Sequence, residues 1–264
     1  MTSPPKILLD CDPGIDDMFA ILCALRFAEV AAVTTVSGNV SIEHTTRNAR
    51  WILELSNRDE VPVYKGAAKP LEVEPYFARE IHGTSGLGEF NPPEPRAPIG
   101  QMTAAEAIIL HCESNDDPVI VATGPLTNLA EALLAEPALA GRISHLHWMG
   151  GSAGGGNTTE LAEFNAWVDP HAVEVTLEAG LTLSMYGLDL TKQVRLDGGD
   201  VAQLRDAGTP TSKRAAEFLD FYRGTSTANV DGKAMHDPCA VLGTTHPDLF
   251  ARAPSRIVLS LIHI

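Results

Sequence analysis

Four aspartates, Asp10, Asp12, Asp16 and Asp17, stand within eight consecutive positions of the stretch DCDPGIDD. They follow directly on the apolar run Ile7-Leu8-Leu9. Like charges packed this closely repel, so a chain tolerates them where a cation neutralises them or a carboxyl keeps its proton. All-oxygen donors suit a hard cation, Ca²⁺ or Mg²⁺. Pro13 and Gly14 permit a turn sharp enough to fold the aspartates around one ion. A purely structural reading covers half of the set. Asp16 and Asp17 fall in the expected first turn of a helix, where the helix dipole favours negative charge. It does not account for Asp10 and Asp12.

The elements that must position these residues alternate along the chain. Lys6–Asp10 reads as a buried strand and Asp16–Phe27 as a helix, apolar at Met18, Phe19, Ile21, Leu22 and Leu25. Strand-like segments follow at Val30–Val36, Val61–Tyr64, Pro118–Ala122, Ile143–Met149 and Leu181–Tyr186. Helix-like segments lie at Ile42–Leu55, Thr103–Cys112, after Gly124 and at Pro170–Glu178. Residues 66–100, rich in proline and glycine, interrupt the rhythm and are long enough for a binding loop or lid. The pattern predicts a single α/β domain over residues 1–264: an open, mainly parallel, doubly wound sheet with helices on both faces. In such sheets ligands sit beyond the carboxyl ends of the strands. DCDPGIDD, SGN, TGPLTN and MGGSAGGGN all fall at those ends, so a shared cleft is expected there.

Bulk properties narrow the partners. The 264 residues carry 19 basic and 34 acidic side chains, a net charge of −15, which argues against nucleic acid or an anionic membrane as the main partner. No apolar stretch reaches the ~18 residues a membrane span needs, and the N-terminal residues lack a secretory pattern. The cysteines, Cys11, Cys23, Cys112 and Cys239, show no CxxC spacing. They read as reduced thiols of a cytoplasmic protein.

Two cation motifs can be tested on the aspartate stretch. An EF-hand loop starting at Asp10 requires a glutamate where Ile21 stands, and fails. Asp10-Cys11-Asp12 after a strand matches the start of haloacid-dehalogenase phosphatases, but Pro13-Gly14 replaces their usual next residues. A Mg²⁺-dependent phosphohydrolase with Asp10 as nucleophile therefore stays as an alternative, as does a non-catalytic nucleoside- or ribose-binding protein.

The whole stretch resembles the signature of the inosine–uridine-preferring nucleoside hydrolases. The resemblance continues through VTTVSGN (33–39), TRNA (46–49), IHGTSGLG (81–88), TGPLTN (123–128), MGG (149–151), AEFNAWVDP (162–170), GLDLT (187–191) and HDPCAV (236–241), in the family's order. It implies hydrolysis of the N-glycosidic bond of ribonucleosides to ribose and a free base, in nucleoside salvage. It further implies a Ca²⁺ ion held by Asp12, Asp17, the backbone carbonyl of Thr123 and Asp237, with Asp10 supporting from behind. Asp12 becomes the general base and His236 the acid for the departing base. Asp16, Asn39, Asn157, Glu163 and Asn165 become ribose contacts, and His82 lines the base pocket. A homo-oligomer, dimer or tetramer, is implied by analogy.

Two departures from the family pattern stand out. Between Tyr222 and His236 the segment RGTSTANVDGKAM lacks an additional tyrosine, which alters the leaving-group side. The family also continues well beyond the region of Arg256–Leu259, so the chain reads as C-terminally truncated relative to it. A missing terminal helix would bare apolar surface and lower solubility.

Overall fold

A computed structural model describes residues 4–225 and 232–260. Six strands form one sheet: β1 (Lys6–Cys11), β2 (Glu29–Thr35), β3 (Val63–Lys65), β4 (Val119–Ala122), β5 (His145–Met149) and β6 (Leu183–Tyr186). Their order is β3-β2-β1-β4-β5-β6, and every neighbouring pair is parallel. The expected doubly wound α/β fold is the one found. The chain builds outward from β1 to β3, then returns to lay β4 on the other side of β1. The loops beyond β1 and β4 therefore diverge at a topological switch point, where such sheets open a crevice.

Helices cover both faces. They are α1 (Ile15–Phe27), α2 (Ile42–Leu55), α3 (Arg79–His82), α4 (Ala104–Glu113), α5 (Thr127–Ala135), α6 (Phe164–Val168), α7 (Pro170–Glu178), α8 (Leu188–Thr191), α9 (Gly198–Asp206), α10 (Pro210–Gly224) and α11 (Pro238–Thr245). Side chains alternate across β1, so its two faces serve two cores. Ile7, Leu9 and Cys11 pack with α1, α2, α10 and α11, while Leu8 packs with α4, α5 and α7. A small antiparallel pair, β7 (Arg195–Leu196) and β8 (Lys233–Ala234), stands outside the main sheet.

Differences from the expected elements are shifts of one or two residues at element ends, several of them at strand starts. β3 begins at Val63 rather than Val61, and β4 at Val119 rather than Pro118. Proline has no N–H to give to a ladder, so pairing begins after Pro62 and at Pro118's successor. The 66–100 loop is not wholly irregular, since α3 lies inside it and carries His82. Among the described residues no helix is long and apolar enough to cross a membrane.

Candidate active site

The end of β1 places Asp10 and Asp12 two residues apart, and the turn through Pro13 and Gly14 starts α1 at once. Asp16 and Asp17 thus occupy the first turn of α1. Asp17 Oδ2 accepts from the backbone N–H of Gly14 at 2.9 Å and the Asn39 side-chain amide at 3.1 Å. Its Oδ1 accepts from the Thr123 hydroxyl at 2.9 Å. Gly14 is required by close approach, because a Cβ there would meet His82 Nδ1 at 2.6 Å.

Across the cleft Asp237 precedes Pro238, which opens α11 as its first-turn proline. One carboxylate oxygen each from Asp16, Asp17 and Asp237 lies within 4.8 Å of the others, and all three residues are buried. Asp12 stands beside this trio. Its Oδ2 accepts from the Asn39 backbone N–H at 2.7 Å, while its Oδ1 is buried without a hydrogen-bond partner among the described residues. The closest trio therefore contains Asp16, whereas the resemblance implied Asp12, which is bonded to the Asn39 N–H beside it. Burial pushes the carboxyls of Asp12 and Asp237 well above their ordinary range, and neighbouring aspartates push them further. Asp16 rises to about 7 for the same two reasons, and Asp17 is also raised, mainly by burial.

Asp10 faces away from this cluster. Its Oδ1 accepts from the Thr34 hydroxyl and the Asn128 amide, each at 2.7 Å, and its Oδ2 is buried and unpaired among the described residues. Burial raises its carboxyl to about 7. Both partners of its bonded oxygen, Thr34 on β2 and Asn128 on α5, hold it behind the turn, so it is not placed to attack a phosphorus atom. Asn128, which also accepts from the Ala67 N–H at 2.8 Å and donates to the Thr35 carbonyl at 3.0 Å, ties three elements together behind the site.

The cleft itself has a volume of about 280 Å³. On one side stand Glu163 and Asn165 at the start of α6. Glu163 accepts from the backbone N–H groups of Gly151, Asn165 and Ala166 at 2.8–3.0 Å, yet burial still raises it to about 7. The Asn165 amide donates to the carbonyls of Thr123 at 2.8 Å and Met149 at 3.0 Å. Asn157 reaches the cleft from the glycine-rich loop, where its Oδ1 accepts from the Phe164 N–H at 2.9 Å.

The other side is aromatic and basic. His82 Nδ1 accepts from the Ile15 N–H at 3.1 Å, so its proton sits on Nε2. Burial lowers its pKa to about 3, which keeps the ring neutral. The His82 ring leans on Tyr222, centroid to centroid 5.4 Å, and the Tyr222 hydroxyl donates to Asp16 Oδ2 at 3.3 Å. His236 Nδ1 shares a hydrogen bond with the Thr191 hydroxyl at 2.7 Å, and burial lowers its pKa to about 4. Tyr222 and Lys233 were given no role from the sequence. They lie far from the aspartates in the chain, and no spacing rule signals them; only the packing of α10 and β8 does. Of the divergent segment, Ser226 and Thr227 lie outside the described residues.

The structure thus joins Asp12, Asp16, Asp17, Thr123, Asn165 and Asp237 around one acidic floor. It places Asn39, His82, Asn157, Glu163 and His236 on the walls. Donors that are all oxygen, one orphaned buried carboxylate oxygen and carboxyls crowded beyond what their charges tolerate fit a hard divalent cation. Fold and site together define an α/β enzyme that works at a switch-point cleft over an acidic cation site.

The chain belongs to the inosine-uridine preferring nucleoside hydrolase family, whose model matches residues 7–261. It is 41% identical over 250 residues to the pyrimidine-specific ribonucleoside hydrolase RihA of Enterobacter sp. (strain 638), covering 92% of this chain and 80% of that protein. RihA of Shewanella woodyi is 41% identical over 256 residues, covering 95% and 81%. Among solved structures, the purine-preferring ribonucleoside hydrolase from Gardnerella vaginalis superposes with a TM-score of 0.91 at 33% identity, covering 94% of this chain and 82% of that one. The plant nucleoside hydrolase PpNRh1 superposes at 0.90 with 31% identity, covering 94% and 80%. The protein is a ribonucleoside hydrolase, an N-glycosidase that releases ribose and a free base.

Proposed function

We propose that this hydrolase depends on calcium and acts on pyrimidine ribonucleosides in preference to purine ones. The observation that carries the metal is the acidic floor, with carboxylate oxygens of Asp16, Asp17 and Asp237 within 4.8 Å and Asp12 Oδ1 unpaired beside them. Asp12, Asp17, the Thr123 carbonyl and Asp237 are assigned as its ligands. Bound there, calcium would let these carboxylates stay ionised together, would acidify a water and would orient the ribose diol. The pyrimidine reading is supported by relatives 41% identical that are named pyrimidine-specific.

The chain's own groups divide the work. Asp12 is assigned as general base: Asn39 anchors one carboxylate oxygen, and the other is left to accept a proton from water. Water's oxygen bonds to C1′ as the C1′–N bond breaks, and the bond's electron pair leaves with the base. The sugar passes through an oxocarbenium-like state, as glycosides do. Glu163, held at the N-terminus of α6 by backbone N–H groups, puts a carboxylate near that positive charge. Asp16, Asn39, Asn157 and Asn165 are assigned to the ribose hydroxyls. His236, oriented by Thr191, is assigned to protonate the departing base, and His82 presents its Nε2–H to it. Asp10 supports the turn from behind.

Four free cysteines among the described residues fit a reducing cytoplasmic setting. The homo-oligomer, dimer or tetramer, is carried over from the resemblance alone. The deciding experiment measures ribose release from uridine, cytidine and inosine, with and without chelator. Chelator-sensitive release restored by Ca²⁺ supports the proposal, and release indifferent to chelator refutes the metal. Asp12→Asn should lower turnover by about 10²-fold or more; unaltered turnover removes Asp12 from its role.

A further inference from the structure

The two walls of the cleft differ in kind. The floor and one wall offer carboxylates and amides suited to hydroxyl groups. The other wall offers hydrogen-bond donors. His82 has its Nδ1 committed to the Ile15 N–H, so only a donor remains on Nε2. Beside it Lys233 rises from β8, fixed by pairing with Leu196. Its ammonium lies 4.3 Å from the centroid of the Tyr222 ring and donates to the Thr225 hydroxyl at 3.0 Å. The Thr225 hydroxyl in turn donates to the Tyr222 carbonyl at 2.7 Å. Lys233 is thereby held over one aromatic face while the same ring leans on His82, and all three line the cleft. An ammonium carries three donors, of which the described residues engage one.

We propose that Lys233 is a specificity-determining residue for the leaving base, selecting oxo bases such as uracil or hypoxanthine over amino bases such as cytosine or adenine. This rests on the reading of the cleft as a nucleoside site with its base toward Tyr222. As the C1′–N bond breaks, its electron pair passes to the base and spreads onto the ring carbonyl oxygens. An oxo base accumulates that charge on acceptors facing Lys233 and His82. An amino base turns N–H₂ donors toward the same donors, which leaves both sides unpaired. A site built of donors rejects such a mismatch strongly. Because the negative charge on the base grows only as the bond breaks, the preference falls mainly on kcat rather than KM.

The test compares the wild-type enzyme with Lys233→Met and Lys233→Arg on uridine, cytidine, inosine and adenosine. The expected result is a uridine-to-cytidine ratio of kcat/KM that falls about tenfold in Lys233→Met and recovers in part in Lys233→Arg. The inosine-to-adenosine ratio should move the same way, with most of the change in kcat. An equal loss on all four substrates overturns the proposal and makes Lys233 a counter-charge for Asp16. Unchanged ratios overturn it too. Absence of ribose release by the wild-type enzyme from every nucleoside refutes instead the reading of the cleft beneath it.

Discussion

Asp237→Asn offers a test in which stability and metal response should move in opposite directions. Asp237 lies with Asp16 and Asp17 in a trio of oxygens no more than 4.8 Å apart, in a buried setting. Two ionised carboxylates at that distance repel by about 3 kcal/mol at an effective dielectric near 20. Without a cation the fold must either bear that repulsion or hold a proton. Burial and the neighbouring aspartates raise the Asp237 carboxyl, so above its folded pKa stability has already been lost relative to acid. The asparagine keeps the shape and removes the charge. In chelator at pH 8 the variant should be more stable than wild type by about 3 kcal/mol, or roughly 6–12 °C in Tm for a domain of this size. Saturating calcium should reverse the order. At about a thousandfold excess over Kd the wild type gains about 4.1 kcal/mol, and the variant, lacking a ligand, gains under about 1 kcal/mol. Thermal melts of both proteins, in chelator and in calcium, decide the matter. A variant less stable than wild type in chelator, or equal calcium shifts in both, would refute the reasoning.

Gly38→Ala should cut activity by about tenfold or more while the fold persists, since the new Cβ would fall 2.1 Å from Asp12 Oδ2 and must displace that carboxylate; near-normal turnover would show that Asp12's placement is not critical. Asn128→Ala leaves the Ala67 N–H and Asp10 Oδ1 each short of a partner and should cost about 2–4 kcal/mol in urea unfolding; a loss under 1 kcal/mol would contradict the assigned bracing role. His147, buried against the Tyr186 hydroxyl at 2.9 Å, is held neutral with a pKa near 3. Its lowered pKa means that stability present above about 6.5 is lost as pH falls toward 3, by about 2 kcal/mol at pH 5. His147→Gln should flatten that acid limb in denaturant melts, and an unchanged pH slope would exclude His147 as its source.

The layout of the fold was readable because alternation of strand and helix leaves few arrangements open. Ile42–Leu55 and Pro170–Glu178 match the expected helices end to end. Strand starts were misjudged where proline or a loop hydrogen bond, rather than apolar character, decides pairing. The region after Leu196 was opaque. Helices α9 and α10 carry their signals in caps at Asp197 and Thr209, with an apolar face too broken to announce itself. The loop at 66–100 was legible only as an interruption, and its short helix α3 is tied to distant segments by the Ala78 N–H on the Asn39 carbonyl and the Ile15 N–H on His82.

From residue types alone came the need for a cation or a proton among Asp10, Asp12, Asp16 and Asp17, because charge repulsion at short spacing is a local property. The sheet's parallel character and its ligand end were likewise contained in the local pattern. Only the folded chain could say that Asp10 turns inward to Thr34 and Asn128, that Asp237 closes on Asp16 and Asp17, and that Tyr222 and Lys233 form the opposite wall. Some of those facts concern groups more than two hundred residues apart, as with Tyr222 and Asp16. Their meeting is set by how helices pack on a twisted sheet, and no spacing along the chain encodes that distance.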